Sequence, residues 1–385
     1  MTVNTSLNKS IILRNLATFF MLANLLYNLF PFPPIFWRLG FIILCMFTLL
    51  MRNRDIRFLE IEKWVLSFVL MNIVYYFVSY LWQTPYSTQL GNTLYSMLSL
   101  SFFYYLTRKH TISTLFIDTF LIAFTLCGIY AYFHAHHLLL LALALGEDTD
   151  LTNNASTVFL CLLPLIFLAK KKWVKFLTLS ICLYFIIISA KRGNIIASIF
   201  PLIFIIPNFI RQSRTPWMKV IIFCILSFII YNAYTVFVEN DYVMQRMEQM
   251  QEGNSSHRDE IYSAAWNLWS QSMDVRNILF GYGTDGTVNN LVMHKRAHND
   301  WLEILVDYGL LGILLYLGIF YSLYKIIRKH WKKFTYRYAL LSITFIWLSK
   351  SAYSMGFQEE WFAFLLMPLG IILGRIENEN ISLSR

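Results

Sequence analysis

Apolar runs long enough to cross the roughly 30 Å hydrocarbon core of a bilayer recur along the whole sequence, and about twelve are visible. They lie near 11–30, 35–51, 64–81, 92–106, 113–134, 155–169, 174–190, 194–211, 218–238, 301–325, 337–353 and 361–374. Charged residues make up 14% of the chain, against about 25% in an ordinary soluble domain. With 57% hydrophobic residues, the expected solvent is lipid, and the expected fold is an all-α polytopic membrane protein with 1–385 as a single membrane domain. No small-residue cleavage site follows the first apolar run, which leads instead into Pro31, Pro33 and Pro34, so that run reads as a retained helix.

Five cysteines, Cys45, Cys127, Cys161, Cys182 and Cys224, sit inside apolar runs with no metal-ligand spacing and read as small buried hydrophobes. The formal charge of +10 does not point to nucleic acid, because the basic residues are dispersed over short loops. They report topology instead. With the N-terminus inside, the clusters at 52–57, 108–109, 170–175, 211–219 and 328–337 all fall on the cytoplasmic side, as the positive-inside rule requires. Loops 82–92 and 146–154 are neutral or acidic and fall outside.

Most of the basic residues that break this pattern stand in two outer places: the turn SAKRGN (189–194) and the segment 239–300, which holds Arg246, Arg258, Arg276, Lys295 and Arg296. That segment is long enough to form an extracytoplasmic helical cap. Within it, Ile261, Ala264, Ala265 and Leu268 recur at helical spacing, which predicts an amphipathic helix lying over the membrane, broken by the glycines of FGYGTDGT (280–287).

Arg192 reads in two ways: a snorkelling interface arginine, or a phosphate ligand whose planar fork matches phosphate oxygens and whose charge persists at any working pH. Gly193 beside it lets backbone approach a bulky ligand. Arg258 is likewise either a solvated loop residue or the second cation for a diphosphate. In AHNDWLEILVDYGLLG (297–312), His298 is a structural histidine or a general base, since an ordinary imidazole with a pKa of about 6.5 accepts a hydroxyl proton near neutral pH. Asn299 and Glu303 are four apart and share a helical face beside it. Asp300 and Glu303 also complement a helix N-terminus, and Asp307, a turn deeper, is by default a functional or paired residue. No glycine-rich nucleotide loop is present.

LTNNASTVFLCLLPL (151–165), SAKRGN, and the ordered set Arg258, FGYG (280–283) and AHNDWLEILVDYGLLG together resemble the bacterial O-antigen ligase and polymerase superfamily over roughly residues 150–320. The resemblance implies an inverting glycosyltransferase that moves a sugar chain from an undecaprenyl diphosphate carrier to a hydroxyl acceptor, either a glycan or the lipid A core. It implies an inner-membrane enzyme working at the periplasmic face. His298 then matches the histidine near the acceptor, with Glu303 orienting it, and Arg192 and Arg258 match the arginines assigned to the diphosphate. Lys191 precedes Arg192 where many members carry a small or polar residue, so it stands beside Arg192 as an alternative contact; Asn299 borders the same site. No cofactor or metal is expected, and a chain-length regulator is a candidate partner. A polymerase is preferred because the His-Asn helix starts without a long insertion before it. The ligase is the second reading, and a lipid-linked sugar flippase, which would place charges along a mid-membrane path, is the reading from another class.

Overall fold

The computed structural model describes residues 2–52, 56–81, 88–144, 155–189, 191–212, 258–332 and 334–384, with isolated positions between 212 and 258. In chain order its helices are α1 (Thr2–Leu25), α2 (Pro34–Leu50), α3 (Glu60–Tyr80), α4 (Thr88–Arg108), α5 (Thr114–Ala144), α6 (Ser156–Ile166) and α7 (Lys172–Ile188). They continue with α8 (Arg192–Gln212), α9 (Arg258–Ser270), α10 (Val275–Phe280), α11 (Gly286–Asn290), α12 (Asp300–Lys329), α13 (Phe334–Tyr353) and α14 (Ala363–Ser384). The described residues contain no strand.

Each expected apolar run other than 218–238 overlaps a helix; that run, the loop 146–154 and nearly all of 213–257, including Arg246, fall largely outside the described residues. By length and apolarity, Glu60–Tyr80, Thr114–Leu141 and Asp300–Lys329 can each cross a membrane, while Pro34–Leu50, Ser156–Ile166 and Gly193–Asn208 are shorter apolar helices. Three spans therefore qualify among the described residues, where the sequence led us to expect about twelve. Leu70, Phe77, Leu115, Leu126, Leu314 and Leu317 on the long helices expose their side chains, as lipid-facing residues do. Of the cysteines, Cys45, Cys161 and Cys182 are buried as expected, Cys127 is half-buried, and Cys224 is exposed.

The chain forms two compact units. In the first, made of 1–37, 110–251 and 332–346, α6 is buried along its whole length. Phe159 of α6 stacks on Phe185 of α7 at 4.8 Å between ring centroids, and its ring also fills the space beside Gly128 of α5. The buried Asp118 carboxylate accepts the Lys170 amide at 2.9 Å and so anchors the short connection into α7.

The second unit, made of 38–109, 252–331 and 347–385, is built around α4, α14, α3 and α12. Gly370 and Gly374 let α14 lie directly on α4: a methyl group at Gly370 would stand 2.3 Å from the Leu100 carbonyl oxygen, and one at Gly374 would stand 2.5 Å from Thr107. This is the small-xxx-small contact by which membrane helices pack without a hydrophobic driving force. Gly318 of α12 does the same against the Trp64 ring of α3, and the Tyr308 phenol donates to Asn72 of α3 at 2.7 Å. Arg52, expected to mark the inner face, is buried, bonding Glu62 at 2.9 Å and lying over the Phe58 ring.

Candidate active site

The site grows from the way α12 begins. Asn299 caps the helix: its side-chain oxygen accepts the amides of Trp301 at 3.0 Å and Leu302 at 3.2 Å, satisfying two donors that a helix start leaves open. Its amide nitrogen donates to the Ala352 carbonyl near the end of α13 at 3.0 Å. Just before this cap, His298 adopts a left-handed φ of 49°, which turns it out of the helix line while the chain enters α12. His298 is exposed at this mouth.

Two residues of α9 close on the same place. The Arg258 guanidinium donates to the Tyr353 carbonyl at 2.8 Å, capping the end of α13, and the Tyr262 phenol donates to the His298 carbonyl at 3.4 Å. Burial pushes the Tyr262 phenol up from its ordinary value, with Arg258 pulling the other way, so it stays protonated as the donor. Arg258, Tyr262, His298 and Asn299 thus meet around the carbonyls of Ala352 and Tyr353. The sequence singled out three of these four; Tyr262 lay within the expected amphipathic helix with nothing to mark it.

The amphipathic helix expected here differs from α9 on two points. Ile261 and Ala265 are buried against Leu291, Ala297 and Val306, with Leu268 and Trp269 packed alongside, so the apolar face meets protein rather than lipid. Ala264, assigned to that face from its spacing, is exposed.

Behind His298 lies a buried charge cluster. Glu303 accepts the Ala297 amide at 2.8 Å through one oxygen and the Thr287 hydroxyl at 2.8 Å through the other. Arg296 pairs with Asp285 at 2.6 Å, stands 3.8 Å from Glu303, and also bonds Gln358. Glu303 therefore acts on the His298 turn through the amide immediately before it, and Arg296 and Asp285 hold the other side of that turn. Arg296 appeared in the sequence only as a basic residue on the disfavoured side, and Asp285 only among loop glycines. Their pairing across eleven residues has no periodic signal. Asp307 is fully buried and accepts from Gln89 and from the Thr287 amide, each at 3.3 Å. It is a paired residue of this cluster. Among the described residues, no group of three or more His, Cys, Asp or Glu is arranged to hold a metal ion.

The glycines explain how the loop reaches the helix. Gly309 leaves helical geometry at φ 64° and ψ −157°, so α12 is broken there rather than continuous. The carbonyls of Val306 and Asp307 accept the amides of Tyr282 at 2.8 Å and Gly283 at 2.9 Å from FGYG. A methyl group at Gly281 would lie 2.4 Å from the Asp307 backbone, and one at Gly309 would lie 2.5 Å from that of Leu279. Backbone meets backbone at both positions, and both have positive φ, so glycine is required at each.

In the other unit, α7 ends at Ile188 and α8 opens with Arg192, so SAKRGN is the expected turn between helices, with Ala190 outside the described residues. The Lys191 carbonyl accepts the first helical amides, from Asn194 at 2.9 Å and Ile195 at 3.2 Å, and Lys191 is half-buried. The Arg192 side chain lies outside what is described. Asn194 is fully buried and donates to Ser156 at 2.9 Å and Thr157 at 3.2 Å, tying this turn to the start of α6 and joining two motifs singled out from the sequence.

No curated protein matches the chain. A family match covers part of these features: residues 177–317, from within α7 through the broken part of α12, match the model of the O-antigen ligase family, in agreement with the superfamily of O-antigen ligases and polymerases that the motifs resemble.

Proposed function

We propose that the protein is an inner-membrane polysaccharide polymerase that joins sugar chains carried on undecaprenyl diphosphate, with its active site at the periplasmic face. The observation that carries this reading is the exposed His298, turned out at the cap of α12 and bonded through its carbonyl by Tyr262 of α9, within the matched family region. The reaction is a single displacement. The acceptor hydroxyl oxygen attacks the anomeric carbon while His298 takes its proton. The bond from that carbon to the diphosphate breaks, and the diphosphate leaves with the electron pair. The sugar passes through an oxocarbenium-like state and the anomeric centre inverts.

On the motif resemblance, Arg192 and Arg258 stabilise the charge that develops on the leaving diphosphate, with Lys191 as the alternative to Arg192. Glu303 is the positioning carboxylate for His298, through the Ala297 amide, and Asn299 shapes the mouth by capping α12. The lipid carrier keeps its diphosphate at the bilayer surface, which is where helices emerge.

The second reading, transfer to a lipid A core, is favoured by the family description itself, O-antigen ligase. Deleting the gene and resolving the cell's surface polysaccharide by electrophoresis separates the two. Single repeats on the core are expected for a polymerase, whereas free polymer with naked core identifies a ligase. An unchanged ladder rejects both.

A further inference from the structure

One face of α9 has no place in the reaction just described. Arg258 and Tyr262 lie on successive turns and bond the carbonyls of Tyr353 and His298, and Trp266 occupies the next turn. Eight residues of helix separate Trp266 from Arg258, about 12 Å along the axis. Trp266 is 51% exposed, and its ring leans on Trp269 at 5.4 Å between centroids. Trp269 is itself held by its indole nitrogen on the Ile278 carbonyl at 3.2 Å and packs on the buried cluster under α9, so Trp266 has a fixed backing.

The neighbours of Trp266 decide what it meets. Ser263, Ala264, Asn267 and Ser270 are exposed around it, so this face offers one flat aromatic ring among small side chains, three of which can hydrogen-bond. Lipid-facing surface in this protein looks different: α3 exposes Leu70, Val74, Phe77 and Val78 on successive turns. A pyranose has an apolar C–H face and a rim of hydroxyls, which suits an indole flanked by Asn267 and Ser263. We propose that this face of α9 binds the sugar rings of the acceptor glycan, with Trp266 as the stacking platform that leads the chain toward His298. The inference rests on the glycosyltransferase reading above and adds where the acceptor lies.

The test uses full-length protein reconstituted in phospholipid vesicles. The substrate is lipid-linked oligosaccharide extracted from cells lacking the gene, and the probe is the free oligosaccharide cleaved from it by mild acid. Free oligosaccharide should compete with the acceptor, and Trp266→Ala should weaken that inhibition about tenfold while Trp266→Phe retains most of it. Trp266→Ala should raise the acceptor concentration needed for half-maximal rate about tenfold, with a smaller effect on the maximal rate, since the ring binds sugar and does not touch the reacting atoms. Equal inhibition of wild type and Trp266→Ala overturns the proposal, as does an equal loss of maximal rate in both variants, which marks a packing role.

Binding is also read without turnover, from the Trp266 fluorescence obtained as wild type minus Trp266→Phe. Quenching of that difference by free oligosaccharide supports the platform even if no transfer occurs, in which case only the reaction assignment fails. Quenching by brominated phospholipid instead, with none by oligosaccharide, overturns it in favour of membrane contact.

Discussion

In the proposed reaction His298 is the general base; it is exposed, and the cap of α12 is made by Asn299. His298→Ala should therefore leave folding and insertion intact and reduce transfer by about 10²–10⁴-fold, the usual loss when a general base is removed. Normal polysaccharide from a variant present at wild-type level would reject the base assignment. Because a base works unprotonated, wild-type transfer should fall as pH drops. A carboxylate near an imidazole favours its charged form, so Glu303→Gln should move that acid limb to lower pH and cost less activity than His298→Ala. A pH profile superimposable on wild type would leave Glu303 with a purely structural role in the 296–298 turn. For the diphosphate, Arg192→Lys keeps the charge and loses the fork, and the expected defect is about 10–150-fold in transfer, one charge-assisted contact. An active Arg192→Ala alongside an inactive Lys191→Ala would transfer the role to Lys191. At this scale the sequence was informative wherever a residue type was rare in its setting, as with His298 and Arg258. It was silent on Tyr262 and on the Asp285–Arg296 pair, because a phenol in an amphipathic helix and an ion pair closed across a loop leave no pattern in the order of residues.

The element that organises the site is the broken helix α12. DYGLLG reads from sequence as a helix interior carrying two small residues, yet Gly309 has φ 64° and frees two carbonyls that the FGYG turn occupies. Periodicity cannot reveal such a break, since the apolar pattern runs on through it; only the presence of glycines in both segments hints that two backbones touch. Gly309→Ala should destabilise the protein by roughly 1–3 kcal/mol or more, from strain at positive φ together with the clash against Leu279. Thermal unfolding in detergent measures this, and an unshifted transition would show that α12 can heal without the turn. The α9 helix shows the opposite balance. Its spacing predicted an apolar face with Ile261 and Ala265 laid on the membrane, but a helical stripe does not say whether protein or lipid covers it, and Leu291 and Val306, distant in sequence, supply the cover.

For the whole molecule, the all-helical fold was legible because apolar runs of bilayer length leave little choice of secondary structure. The number of spans was less legible, since length and apolarity select three helices among the described residues while α6 and α8 carry shorter apolar stretches. The positions of basic residues make a further prediction, that 239–300 lies outside and 328–337 inside. Reporter fusions at Gly253 and Lys332 should report opposite compartments; the same compartment for both would put His298 on the wrong side of the membrane for a periplasmic acceptor. The central claim, a displacement that consumes a lipid diphosphate, is tested most directly with wild-type protein in vesicles loaded with lipid-linked oligosaccharide. The measurement is the amount of undecaprenyl diphosphate released against the number of new glycosidic bonds. One molecule should be released per bond formed, with both lost together in His298→Ala. Movement of the lipid-linked sugar across the bilayer with no diphosphate released and no bond formed would contradict it and identify a transporter.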